Sequence, residues 1–146
     1  MASKSTRRRF SGHLPRSPLP GRTYYMDVQG PYQTPSIEGY KYIVGFVDSY
    51  SRRCFMYYAR NKSDVYEIFT TKFYPNIMRP IYKNYEYTGY MTVISDNGEF
   101  KYNNMKEFCA NNWNRQTFTC PYTPEHNAPI ERLFRTLDMM CNAMMI

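Results

Sequence analysis

Apolar residues fall in short β-prone runs through the first half of the chain and at helical spacing near its end. The run TYYMDVQG begins at Thr23 and stops at Gly30-Pro31, as a strand bounded by turn residues would. Tyr40 to Val47 and Cys54 to Ala59 are two β-rich runs around the polar turn DSYSRR, a pattern that predicts an antiparallel hairpin. From Ser63, a candidate helix cap, Val65, Ile68, Phe69 and Phe73 mark one face of a helix whose end is blurred by Pro75 and Pro80. YMTVIS, 90 to 95, is a short apolar run that breaks at Asp-Asn-Gly and predicts a central strand. A short helix over 103 to 111, a strand over 115 to 119 and a loop over 121 to 127 follow. From Ala128 a final helix carries Ile130, Leu133, Phe134, Leu137 and Met140 or Cys141 on its apolar face. The order β-β-β-α-β-α-β-α implies a mixed sheet with helices packed on it.

The length of 146 residues allows one domain, and 42% hydrophobic residues exclude a wholly disordered chain. No apolar run is long enough to span a bilayer, so no membrane association is expected. Cys54, Cys109, Cys120 and Cys141 stand singly, which disfavours structural zinc and suits buried, reduced thiols of an intracellular protein. Charge changes the picture more. Residues 1 to 22 hold Lys4, Arg7, Arg8, Arg9, Arg16 and Arg22 and no acid, supplying six of the seven net positive charges. With Pro15, Pro18 and Pro20 among glycines and serines, that stretch reads as an extended, disordered arm. It suits phosphate contacts through Arg7, Arg8 and Arg9, or a nuclear-targeting patch, or only a solvated tail.

Three acids stand where charge is unfavourable. Asp27 interrupts the first strand, Asp96 closes the apolar strand TVIS, and Glu131 opens the last helix. Each has an ordinary explanation: an edge strand facing water, the first residue of a turn, or an acid favoured by the helix dipole. Converging, they would form an all-carboxylate site suited to magnesium or manganese, and chemistry at phosphates would be the natural use.

The motifs MDVQGP at 26 to 31, VDSYSR at 47 to 52, SDNGEF at 95 to 100, PYTPEHN at 121 to 127 and ERLFRTL at 131 to 137 carry a resemblance. In this order they resemble the integrase catalytic core of copia-type long-terminal-repeat retrotransposons. The resemblance implies a ribonuclease-H-like α/β fold: a mixed five-stranded sheet, its first three strands antiparallel, flanked by helices. It also implies an Asp, Asp, Glu triad, here Asp27, Asp96 and Glu131, holding two Mg²⁺ or Mn²⁺ ions. Phosphodiester cleavage and strand transfer in DNA integration would follow. DNA, both element ends and target, is the implied partner, with a homo-oligomer as the working form and the nucleus as its place. Arg132 and Arg135, beside the glutamate on its helix, are candidate DNA contacts, whereas Asp48 is read as a turn residue without a metal.

The chain departs from the family in three places. Asp96 and Glu131 are 35 positions apart, one fewer than is usual for the family. His126 and Ala128 replace its glutamine and glycine, with Pro129 between them and the glutamate. The zinc-binding N-terminal module and the C-terminal helices have no counterpart, so the reading is an arm over 1 to 22 and a truncated core over 23 to 146. Two other functions stay open: a catalytically dead nucleic-acid-binding remnant, and a ribonuclease-H-like nuclease that cuts without joining.

Overall fold

A computed structural model of the chain describes residues 16–96, 103–112, 114–118 and 127–144. Strands β1 (Thr23–Gln29), β2 (Tyr42–Asp48), β3 (Cys54–Ala59), β4 (Met91–Ser95) and β5 (Asn114–Phe118) form one sheet in the order β3-β2-β1-β4-β5. β1 pairs antiparallel with β2, and β2 with β3, while β4 lies parallel to β1 and β5 parallel to β4. The mixed sheet with helices on it is the architecture implied by the strand and helix order.

Strand alternation gives the sheet two faces with different partners. Tyr24, Met26, Val44, Phe46, Met91 and Val93 turn to one side and pack with Val65, Ile68, Phe69, Phe73 and Met78. Phe46 stacks on Phe73 at 3.8 Å between ring centroids. The other side carries Tyr25, Ile43, Val47 and Ile94, covered by Ile130, Leu133, Phe134 and Leu137 of the last helix, α4 (Ala128–Met144). α3 (Asn103–Asn111) adds Met105 and Cys109 to the first core.

The helical region after β3 runs further than its prolines suggest. α1 (Asp64–Glu67) passes into a wide, π-type stretch (Ile68–Met78) and then α2 (Arg79–Asn84) without a break. Pro75 lacks an N–H and its ring crowds the preceding turn, and the wider turn accommodates both. Thr70 and Thr71 hydroxyls donate to the carbonyls of Tyr66 and Glu67. Pro80 sits in the first turn of α2, where a missing N–H costs little. Ser63 makes no side-chain cap because its backbone is already helical; Asp64 instead turns back to accept the N–H of Asn61 at 2.9 Å.

Residues 16 to 22, read from sequence as the end of a disordered arm, lie against the sheet. Ser17 N–H donates to Ser49 Oγ, and Gly21 N–H to Asp48 Oδ1 at 2.9 Å. The Tyr87 hydroxyl donates to the carbonyl of Pro20 at 2.6 Å. Arg7, Arg8 and Arg9 lie outside the described residues. Cys109 is buried as expected, but Cys54 and Cys141 are exposed; all three are free thiols. Among the described residues no helix is long and apolar enough to cross a membrane.

Candidate functional site

Asp27 projects from β1 on the same face as Tyr25 and Gln29, the face that α4 covers. The parallel register Thr23↔Thr92 and Tyr25↔Ile94, carried two residues further, sets Asp27 level with Asp96. Neighbouring strands are about 4.8 Å apart, so this level places the two aspartates side by side at one end of the sheet. Asp96 follows Ile94 by two residues, which keeps it on the α4 side. Asp27 is half-buried and its Oδ1 accepts the Val28 N–H at 2.9 Å, whereas Asp96 is exposed.

Three contacts orient α4 over this end. Asn127, buried just before the helix, donates from Nδ2 to the carbonyl of Met26 at 3.3 Å. Ile130 and Phe134 then cross β2 at Gly45, the residue paired with Asp27. There a Cβ on Gly45 would come within 2.8 Å of Ile130 Cδ1, so the helix approaches this closely only because position 45 has no side chain. Further along, Gln29 Nε2 donates to Asp138 Oδ2 at 2.8 Å.

That last bond locates Glu131. Asp138 and Glu131 are two helical turns apart and share a helix face, about 10 Å along the axis from one another. Gln29 and Asp27 share a strand face, about 7 Å apart. The Asn127 contact fixes the direction in which α4 runs, so its first turn, with exposed Glu131, lies over the part of β1 that carries Asp27.

All three acids named from sequence are thus on one side of the sheet and toward one end. Among the described residues, however, no group of three or more His, Cys, Asp and Glu side chains is close enough to hold a metal ion. The donors are of the kind hard cations prefer, carboxylate oxygens from three separate elements.

Arg132 and Arg135 are exposed on α4 beside Glu131. Tyr32 lies near the far end of the helix, its phenol pushed up by burial and then by Asp138, to which it is hydrogen-bonded. Asp48 has a structural task. It is 3% exposed, and its carboxylate accepts Gly21 N–H, Ser51 N–H at 2.8 Å and Ser51 Oγ–H at 2.6 Å. Sequence reading missed Gln29, Gly45 and Asp138. The signal for two of them was spacing, Gln29 two after Asp27 on a strand and Asp138 seven after Glu131 on a helix.

No protein-family model matches the chain. In architecture it is similar to a chain of the cryo-EM structure of a simian T-cell lymphotropic virus intasome in complex with PP2A regulatory subunit B56 gamma. The TM-score is 0.63 at 18% identity, over 88% of this chain and 42% of that one. The chain thus shares the fold of that chain. In sequence it is 34% identical over 114 residues, 77% of its length, to the retrovirus-related Pol polyprotein from transposon TNT 1-94 of Nicotiana tabacum. It is 31% identical over 141 residues, 94% of its length, to that from transposon RE2 of Arabidopsis thaliana, and 31% over 137 residues, 92%, to that from RE1. The chain belongs to the retrovirus-related Pol polyproteins of copia-type transposons. It spans 8% and 9% of the lengths of these relatives.

Proposed function

We propose that this segment is an integrase catalytic core of ribonuclease-H-like type that cleaves phosphodiesters and transfers DNA strands. The observation that carries the reading is the register setting Asp27 level with Asp96 on the sheet face where α4 brings Glu131. These three carboxylates would hold two magnesium or manganese ions, Asp27 shared between both, Asp96 serving one and Glu131 the other. When bound, such ions supply Lewis-acid stabilisation of the attacking and leaving oxygens.

The chain's own part is positional. The sheet fixes Asp27 and Asp96, and Asn127, Gly45 and the Gln29–Asp138 bond hold the helix of Glu131 against it. Arg132 and Arg135 stand ready for phosphates next to the acids, and the basic arm adds sequence-independent affinity. DNA ends and target DNA are the substrates on this reading, a homo-oligomer is the working form, and the nucleus is where it acts. The similarity of the fold to an intasome chain supports the DNA and oligomer parts of this reading.

The test is a strand-transfer assay with Mn²⁺, a 3′-recessed duplex as donor and a plasmid as target. Joined products from the chain, abolished in Asp27→Asn and Glu131→Gln variants that still fold, are expected. Equal joining in those variants, or binding without any cutting or joining by the unaltered chain, overturns the reading. Cutting without joined strands would replace it with a simple nuclease.

A further inference from the structure

β3 is an edge strand: the sheet order ends on it, and β2 lies on one side of it only. The Lys41 N–H donates to the Ala59 carbonyl and the Asp48 N–H to the Arg53 carbonyl, so the odd-numbered residues of this strand turn their main chain to β2. Antiparallel alternation then turns the N–H and C=O groups of Cys54, Met56 and Tyr58 outward, where no described residue meets them. The same three residues pair with Val47, Gly45 and Ile43, which puts their side chains on the α4 face. Cys54 and Tyr58 are exposed there and Met56 is half-buried. A row of open main-chain donors and acceptors thus runs beside a partly apolar strip.

Each end of the strand carries an arginine held against a ring. Arg53 Cζ stands 5.3 Å from the centroid of Phe55, and Arg60 Cζ 5.5 Å from that of Tyr40, whose ring centroid is 6.0 Å from that of Tyr58. Arg60 Nε also donates to the Glu38 carbonyl at 3.2 Å, which holds the guanidinium in place and leaves its terminal amino groups over. Among the described residues neither guanidinium is in an ion pair. Arg52, Lys41 and Lys62 add positive charge at the two ends. Against them stand Glu38 and Asp64, and the Asp64 carboxylate already accepts the N–H groups of Arg60 and Asn61.

We propose that the open edge of β3 binds an acidic, extended segment of a partner protein, which adds to the sheet as a further strand while Arg53 and Arg60 hold carboxylates at its two ends. Main-chain bonds to Cys54, Met56 and Tyr58 supply affinity, and the side chains on the α4 face favour apolar residues at alternate positions of the segment. A guanidinium already held in place takes a carboxylate through two parallel N–H bonds at little cost in side-chain entropy. The charge also selects against the obvious competitor. Antiparallel pairing of two copies of β3 through the open groups would set Arg52 and Arg53 of one copy beside Arg60 of the other, like against like. The site uses none of Asp27, Asp96 and Glu131 and stands whether or not they catalyse.

Fluorescence anisotropy of the 146-residue chain with a labelled peptide of alternating valine and threonine, carrying two aspartates at each end, tests it. Binding should weaken by more than about tenfold when the peptide amides along one edge are N-methylated, and stay unchanged when those along the other edge are. That one-edge pattern is peculiar to strand addition and needs no protein variant. Exchanging the aspartates for lysines should abolish binding, and Arg53→Gln and Arg60→Gln should each weaken it by about threefold to fivefold. No binding at about 1 mM peptide, equal loss on methylation of either edge, or parental affinity in both arginine variants overturns the proposal. Tighter binding of a DNA duplex than of the peptide, lost in the same variants, would assign the edge to nucleic acid. A dimer of the chain that the peptide dissociates would assign it to a second copy, and either result overturns the proposal too.

Discussion

Gly45→Ala is the sharpest probe of how α4 is set on the sheet. The added methyl would lie 2.8 Å from Ile130 Cδ1, 3.0 Å from Phe134 Cζ and 3.3 Å from Phe134 Cε1. The ends of two side chains must therefore give way in a packed layer, at about 1–3 kcal/mol for such overpacking. Against this, alanine restricts the unfolded chain and returns about 0.5–1 kcal/mol. The net expectation is a loss of about 1–2 kcal/mol, or a fall in Tm of roughly 3–7 °C for a domain of this size. Ile130→Val removes the Cδ1 that the new methyl meets and alone costs about 1 kcal/mol. The double variant should therefore be more stable than the sum of the two changes predicts, by about 1 kcal/mol. Urea unfolding of the four proteins, followed by circular dichroism, measures the cycle. Strict additivity, or a Gly45→Ala protein as stable as the parent, would refute the close approach of α4 at the residue paired with Asp27.

Asp48→Ala should cost about 2 kcal/mol in urea unfolding, because it strands the buried N–H of Gly21 and removes the part-buried bonds to Ser51; a loss below about 0.5 kcal/mol would show that those bonds are replaced by water. Asp138→Ala, which frees Gln29, should cost about 1 kcal/mol and speed hydrogen exchange in the first turns of α4, as read by mass spectrometry. Burial pushes the Cys109 thiol up to about 11 from 9.0. The native state therefore holds its proton where the unfolded chain releases it, and stability should fall as pH rises from about 9 toward 11. A Cys109→Ala variant should lose that part of the slope. At pH 8, Cys54 and Cys141 should react with a thiol reagent while Cys109 stays protected, which peptide mapping would read.

Much of this was legible in the chain because local patterns and tertiary packing agreed. The strand runs at 23, 40 and 54, the break after TVIS, and the apolar face Ile130, Leu133, Phe134 and Leu137 each point to the element observed, the second strand starting two residues later than its run. The three acids were singled out because aspartate in a strand and at a strand end conflicts with propensity, and such conflicts mark places where something other than folding is served. What sequence could not give is which contacts are made across elements. Pro75 and Pro80 blurred the helix end because proline disrupts a regular α-helix, and the wider turn that holds Pro75 leaves no simple periodic signature. Nothing local marks Gly45, inside the run 40 to 47, as the place where α4 comes closest to the sheet. The ordering of residues 16 to 22 depends on Asp48, Ser49 and Tyr87, partners 27 to 67 residues away whose proximity no local window contains.

The central claim is that one aspartate of β1, one beyond β4 and the glutamate of α4 share bound metal, and iron-directed cleavage tests it most directly. Fe²⁺ substituted for magnesium, with ascorbate and peroxide, cuts backbone close to the ion. The expected cuts fall together near residues 27, 96 and 131 and vanish at all three in Asp27→Asn, Asp96→Asn or Glu131→Gln. Cuts near only one of these residues, or a pattern unchanged when any one acid is neutralised, would contradict it.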